Sequence, residues 1–293
     1  MDQAEQLRNI IKMDDNTKKT ARVITITSGK GGVGKTSLSV NLALELKKIG
    51  KRVIILDADF GLANIEVMLG IRPMYNLADV IFRNRKIKEI ITEGPNGIGF
   101  ISAGSGIKEL ANLTGEQIFY LTRTLSDLDQ IADVIIIDTG AGIADTVLEF
   151  VAASSEVLLV ATPEPTSITD AYALLKTLNQ KAEFVRNNTT IKMIANRVRN
   201  YKEGEAVYNK MKVVVDKFLN IKLEYLGAVP DDVNVSKAVI LQKPLTLAYP
   251  STNASTSIQE LARVLNDNKL YEQREKKGIS QLFIKLLKIK EKN

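Results

Sequence analysis

The 293-residue sequence contains no cysteine and no histidine. These two absences remove disulfides, thiolate nucleophiles, iron–sulfur clusters, zinc sites and imidazole bases together. No run of about 18 apolar residues occurs, so no segment reads as spanning a membrane. The opening stretch, Met1 to Gln6, is polar and acidic and does not read as a signal peptide, so the cytoplasm is the expected location. The chemistry left to this chain runs on carboxylates, lysines, hydroxyls, backbone amides and oxygen-seeking cations such as Mg²⁺.

What is present is ordinary in bulk, with 45% apolar and 25% charged residues, enough for a sizeable core. The net charge of +6 is unevenly spread. From Glu272 onward there are seven basic residues (Arg274, Lys276, Lys277, Lys285, Lys288, Lys290, Lys292) against Glu272, Glu275 and Glu291. The body is close to neutral, and the basic character sits mainly in the tail.

Short apolar runs alternate with helical patterns. Strands are expected at 22–27, 53–56, 98–102, 134–137, 157–160, 191–195 and 226–229, and helices at 37–49, 115–128 and 168–179, among others. Apolar strands between helices are what a parallel sheet covered on both faces requires. The expected fold class is therefore α/β: a doubly wound, mostly parallel sheet with helices on both faces. Three segments are expected: an N-terminal helix and linker (1–20), one α/β domain (21–271) and a C-terminal basic helix (272–293). Ligands of such sheets sit beyond the carboxyl ends of the strands.

One glycine-rich loop meets that requirement. Gly29-Lys30-Gly31-Gly32-Val33-Gly34-Lys35-Thr36 matches G-x-x-x-x-G-K-[ST], with a β-branched strand before it and an amphipathic helix after it. The glycines let successive N–H groups turn inward as an anion nest, and the helix start, including Ser37, adds its dipole. Lys35 is expected at the β- and γ-phosphates of a nucleotide and the Thr36 hydroxyl on Mg²⁺. Asp138 ends the apolar run Val134 to Ile137, the pattern of a carboxylate that holds Mg²⁺ through water. No glutamate follows it, so the usual general base of that motif is missing.

The loop also carries Lys30, which phosphate binding alone does not need. GKGGVGKT resembles the deviant Walker A box of the ParA/MinD superfamily of P-loop ATPases. That resemblance implies an ATP/ADP-binding, Mg²⁺-dependent ATPase that forms a homodimer with ATP. In such a dimer Lys30 crosses the interface to the partner's nucleotide. Asp57-Ala58-Asp59 resembles the family's second motif, which implies that Asp59 positions the attacking water and that Asp57 contributes to Mg²⁺ or its water shell. Only one of the two is expected to face the γ-phosphate. DTGAG at 138–142 resembles the MinD switch loop, departing from it at Gly140, where proline is common; added flexibility is expected there.

Base recognition is expected at two strand ends. Asn196 and Arg197 follow the run at 191–195, and an asparagine can both donate and accept, as reading an adenine edge requires. Val229-Pro230-Asp231-Asp232 resembles the family's base-binding loop, with Pro230 and Asp231 as its candidates. Glu164, in Pro163 to Ser167, has a family counterpart near the ribose and the dimer interface.

The two ends carry their own patterns. Ile279, Leu282, Phe283, Leu286 and Leu287 fall at i, i+3, i+4, i+7 and i+8, one apolar face of a lysine-rich helix. Such a helix can lie in an anionic membrane surface or dock on the body, or do each in a different nucleotide state. Membrane attachment would make the protein peripheral on the inner face of the cell membrane. Asp2-Gln3-Ala4-Glu5-Gln6-Leu7-Arg8 resembles the N-terminal motif of the FlhG/FleN (YlxH-type) flagellar-number regulators, a MinD-like subfamily. That resemblance implies that Asp2, Gln3, Ala4, Leu7 and Arg8 bind FlhF, a GTPase of the signal-recognition-particle type. It also implies contact with flagellar switch (C-ring) proteins. The neutral body argues against a DNA-segregating ParA, so no specific nucleic acid is expected; the cell-division regulator MinD shares the core and tail but gives no reason for residues 2–8.

Overall fold

A computed structural model of the chain describes residues 20–59, 64–102, 104, 114–181, 184, 189–267 and 278–290, with the side chains at 115, 116, 118, 119 and 287–290 outside the description. Asp2, Gln3, Ala4, Leu7 and Arg8, the linker at 272–277 and the Leu287 side chain therefore lie outside the described residues.

The chain starts with β1 (Arg22–Ser28), α1 (Lys35–Lys48) and β2 (Val53–Ala58). Three short helices follow, α2 (Asn64–Leu69), α3 (Leu77–Arg83) and α4 (Ile87–Ile90), then β3 (Thr92–Glu93) and β4 (Gly99–Ser102). Next come α5 (Gly115–Ser126), α6 (Leu128–Ile131), β5 (Val134–Ala141), α7 (Asp145–Ala153), β6 (Glu156–Ala161) and α8 (Pro165–Gln180). The last elements are β7 (Thr190–Val198), α9 (Tyr201–Phe218), β8 (Leu223–Pro230), α10 (Val233–Ile240), α11 (Leu245–Ala248), α12 (Asn253–Asn266) and α13 (Ile279–Lys290).

The eight strands form one sheet in the order β3-β4-β2-β5-β1-β6-β7-β8. Every pairing is parallel except β3 with β4. The doubly wound α/β class expected from the apolar runs is the fold observed. Side chains alternate across the sheet: Ile24, Val53, Ile55 and Ile136 pack under α1 and α12, while Val23, Ile54, Leu56, Ile135 and Ile137 pack against α5, α6 and α13. Both faces are thus buried, which is why these strands read as continuous apolar runs.

Every expected strand shifts at one end or both, and pairing explains the two shifts at β5 and β8. β5 continues four residues past Ile137 because Asp138 and Thr139 stay in register with Asp57 and Ala58 of β2. β8 begins at Leu223, where it meets Ile191 of β7. The two-residue β3 was not expected; an antiparallel edge that short leaves no periodic pattern.

The C-terminal helix is docked. Ile279, Leu282, Phe283 and Leu286 belong to the same buried cluster as Leu121, Leu125, Leu128 and Phe150. Phe150 and Phe283 meet edge to face with centroids 6.0 Å apart. Of the alternatives the sequence left open, the structure has the helix on the body, and residues 279–286 are part of the domain's own packing.

Candidate functional site

Gly34 shapes the start of the site. It holds φ 96°, a left-handed conformation natural to glycine, at the residue before α1. At Gly29 the reason is close approach: a Cβ there would stand 2.1 Å from the Asp170 backbone carbon of α8. The loop between them opens onto a cavity of about 970 Å³. Its lining includes Gly31, Gly32, Gly34, Lys35, Thr36 and Ser37, then Asp59, then Asn196, Arg197, Pro230 and Asp231. The phosphate, water-positioning and base-reading candidates, from four separate parts of the sequence, thus share one cavity. Gly29, Val33 and Lys30 belong to the loop but do not line it.

Asp57 and Asp59 have different surroundings. Residues two apart on a strand share a face, so nothing in their spacing turns them apart. They differ because β2 ends at Ala58. Asp57, inside the strand, is buried, accepting from Asp59 N at 3.1 Å and Ile65 N at 3.5 Å. It holds the turn after β2 and the start of α2. Asp59, one residue past the strand, faces the cavity, and the Asn64 amide donates to its Oδ2 at 3.0 Å. Sequence reasoning missed Asn64, which has no motif of its own and reaches Asp59 only through the turn.

Asp138 is fully buried opposite Asp57, its register partner. Ser39 of α1 donates to its Oδ1 at 2.9 Å, another contact the sequence did not announce. Burial pushes Asp138 up to about 6, against the pull of the Thr36 and Ser39 hydroxyls and the Lys35 ammonium. Burial and the neighbouring Asp138 charge push Asp57 up to about 7. Lys35 is lowered by burial, which outweighs the attraction of Asp138 and Asp59. This corner therefore holds more negative charge than its one lysine compensates.

A divalent cation fits that imbalance. Asp138 Oδ2 is buried with no hydrogen-bond partner among the described residues, and Thr36 lies beside the carboxylate. No cluster of three or more acidic side chains suited to a metal occurs among the described residues. A cation here would keep most of its ligands as water and phosphate oxygen, the preference of Mg²⁺. Thr36 and Asp138 are the residues that would hold it.

The base end is built from two strand ends tied together: Asp231 N donates to Val198 O at 2.8 Å. Asn196 Nδ2 donates to Val33 O of the loop at 2.7 Å. Arg197 sits at φ 56°, a left-handed conformation uncommon outside glycine. Val235 and Ser236 of α10 complete this wall, again unmarked in the sequence.

Lys30 points elsewhere. Its Nζ donates to Glu164 Oε2 and to Thr166 Oγ1, each at 2.8 Å, at the start of α8. The Lys30 hydrogen bond and charge hold the Glu164 carboxyl below its usual range, with a smaller contribution from Arg197.

The comparisons agree with this geometry. Residues 19–266 match the ParA family model, described as "NUBPL iron-transfer P-loop NTPase". The iron-transfer part of that description finds no cysteine here. The chain is 43% identical over 242 residues to "Antiactivator FleN" of Pseudomonas aeruginosa, covering 83% of this chain and 85% of that one. It is 36% identical over 298 residues to "Flagellum site-determining protein YlxH" of Helicobacter pylori, covering 98% of both. Among solved structures it resembles the MinC:MinD cell division protein complex of Aquifex aeolicus, with 28% identity, a TM-score of 0.65 and coverage of 84% and 96%. The loop with two lysines, the cavity it opens on and the similarity across most of the chain lead to one statement: this chain belongs to the ParA/MinD family of P-loop NTPases.

Proposed function

We propose that this protein is a MinD-like ATPase that dimerises on ATP, binds the membrane through α13 in that state and regulates flagellar number or placement. The observation that carries the dimer is the division of labour between two lysines. Lys35 is buried inside the cavity, whereas Lys30 is on the surface beside it. A lysine that cannot serve its own chain's nucleotide in this conformation is available to a partner's.

In the proposed cycle, backbone N–H groups of the loop and Lys35 hold the phosphates of ATP. Mg²⁺, held by Thr36 and Asp138, would screen the charge of the β- and γ-phosphates. Asp59, braced by Asn64, orients water for attack; positioning is the main demand of a loose phosphoryl-transfer transition state. Hydrolysis removes the group that joins the two copies, and the dimer separates.

The docked α13 gives this cycle its output. Burial of Ile279, Leu282, Phe283, Ile284 and Leu286 stabilises the docked state by about 10 kcal/mol. An anionic lipid interface repays much of the same burial and adds attraction for the tail's lysines. Smaller terms, such as those set by nucleotide state, then decide where the helix lies. The flagellar role rests on the similarity to FleN and YlxH and on residues 2–8, through which the chain would stimulate the FlhF GTPase and reach switch proteins.

Size-exclusion chromatography with ATP against ADP tests the dimer: a single monomer peak in both would sink it. Lys30→Ala should keep nucleotide binding and lose the dimer. Deleting residues 1–20 should abolish stimulation of FlhF while ATP hydrolysis survives; stimulation that persists removes the flagellar assignment's main support. ATP-dependent DNA retention without vesicle binding would favour a DNA-segregating role instead.

A further inference from the structure

α13 begins at Ile279. The residue before it, Gly278, carries no side chain that could accept the orphan N–H groups of the first turn. The body supplies the acceptor. Asp129 of α6, 150 positions away, is buried and accepts from Ile279 N at 3.1 Å. The pairing fixes the identity of residue 278: a Cβ there would stand 2.2 Å from Asp129 Oδ2. The same Oδ1 accepts from Ala21 N at 3.3 Å, where the N-terminal segment joins the body just before β1. A negative charge at a helix N-terminus also meets the positive end of its dipole.

We infer that Asp129 is a tertiary N-cap that holds α13 in its docked position, and that one carboxylate ties the start of the body to the start of the C-terminal helix. Ile279 is the most N-terminal anchor of the docked apolar face, so release of α13 begins with loss of this cap. A displacement of Ala21 is thereby felt at the first turn of α13 without crossing the nucleotide site. This inference rests on the proposed function only for the meaning of release, not for the contact itself.

The test uses the full chain without nucleotide. Hydrogen exchange is followed at residues 20–22 and 279–286, beside co-sedimentation with phosphatidylglycerol vesicles. Asp129→Ala should speed exchange at both ends, by on the order of tenfold at α13, the size of a lost charged cap, with β1 and β5 interiors unchanged. Asp129→Asn, which keeps an acceptor oxygen, should recover most of the protection. Gly278→Ala pushes on the same contact without altering the body and should speed exchange at α13 even if Asp129→Ala folds poorly. Unchanged exchange at α13 in Gly278→Ala and Asp129→Ala overturns the cap. Loss at α13 alone in Asp129→Ala overturns the shared anchor. Faster exchange without vesicle binding upholds the cap and sinks the membrane reading instead.

Discussion

Lys30 Nζ lies 2.8 Å from Glu164 Oε2, so the lysine proposed to serve a partner's nucleotide is occupied within its own chain. Lys30 and Glu164 are 37% and 57% exposed, and water competes readily for both. Such a pair restrains without locking. Before Lys30 crosses an interface it must leave Glu164, and Glu164→Gln lightens that step. The variant should dimerise more readily with ATP, by at most about fivefold given how little exposed pairs contribute. Sedimentation across a concentration series measures it; a weaker dimer would mean that Glu164 is itself an interface residue.

Asp59→Ala should leave ATP binding and dimerisation intact and lower hydrolysis by about a hundredfold or more. Asn64→Ala tests the brace. It should reduce the catalytic rate about tenfold, with ATP affinity unchanged, because it frees Asp59 without removing it. Single-turnover hydrolysis beside fluorescent-nucleotide binding separates the two effects. Unaltered hydrolysis in Asp59→Ala would assign the water to another group.

Asn196 is held with its donor inward. Since Nδ2 is committed to Val33 O, its Oδ1, which accepts from no group among the described residues, is the atom left for a base. An acceptor suits the amino group of adenine and opposes the carbonyl of guanine. ATP should therefore out-compete GTP, and Asn196→Ala should lose that preference by about tenfold. Competition binding with both nucleotides reads it directly. Equal affinity in the unmutated chain would place base recognition elsewhere.

At the opposite end of the sheet, Glu156 accepts from Arg22 at 2.7 and 2.8 Å and from Lys192 at 2.7 Å, all three buried. Burial pushes the Glu156 carboxyl up, but the Arg22 hydrogen bond and the charges of Arg22 and Lys192 outweigh it, and the net shift is downward. A carboxyl lowered on folding stabilises fully above its unfolded value near pH 4.3. That contribution fades as pH falls through the lower folded value. Glu156→Gln should cost about 3 kcal/mol at pH 7, since it leaves two buried cations undercompensated. The gap between variant and parent should narrow in acid. Urea midpoints from pH 7 to pH 3 check both, and a gap that widens in acid contradicts the assignment.

Much of the site was legible because its chemistry is local. The loop from Gly29 to Thr36 needs its glycines and lysine in consecutive positions, so its pattern survives in one dimension. Asp138 was legible because it ends an apolar run, and Asp59 because it follows one. Asn64, Ser39 and Val235 were not, since each acts only where a turn or a helix brings it to a partner found elsewhere. The different surroundings of Asp57 and Asp59 were hidden for a related reason: they come from where β2 ends, and pairing with β5 sets that.

The sequence by itself determined the sheet, the nucleotide loop and the apolar face of the last helix, because alternation, glycine spacing and helical periodicity are properties of neighbouring residues. Tertiary structure alone decided what those parts do to one another. It placed Lys30 against Glu164, aimed Asn196 by way of Val33 and seated α13 on the body under the cap of Asp129. Each is a contact across more than a hundred residues, set by the order in which the strands pack, which no short stretch of sequence records.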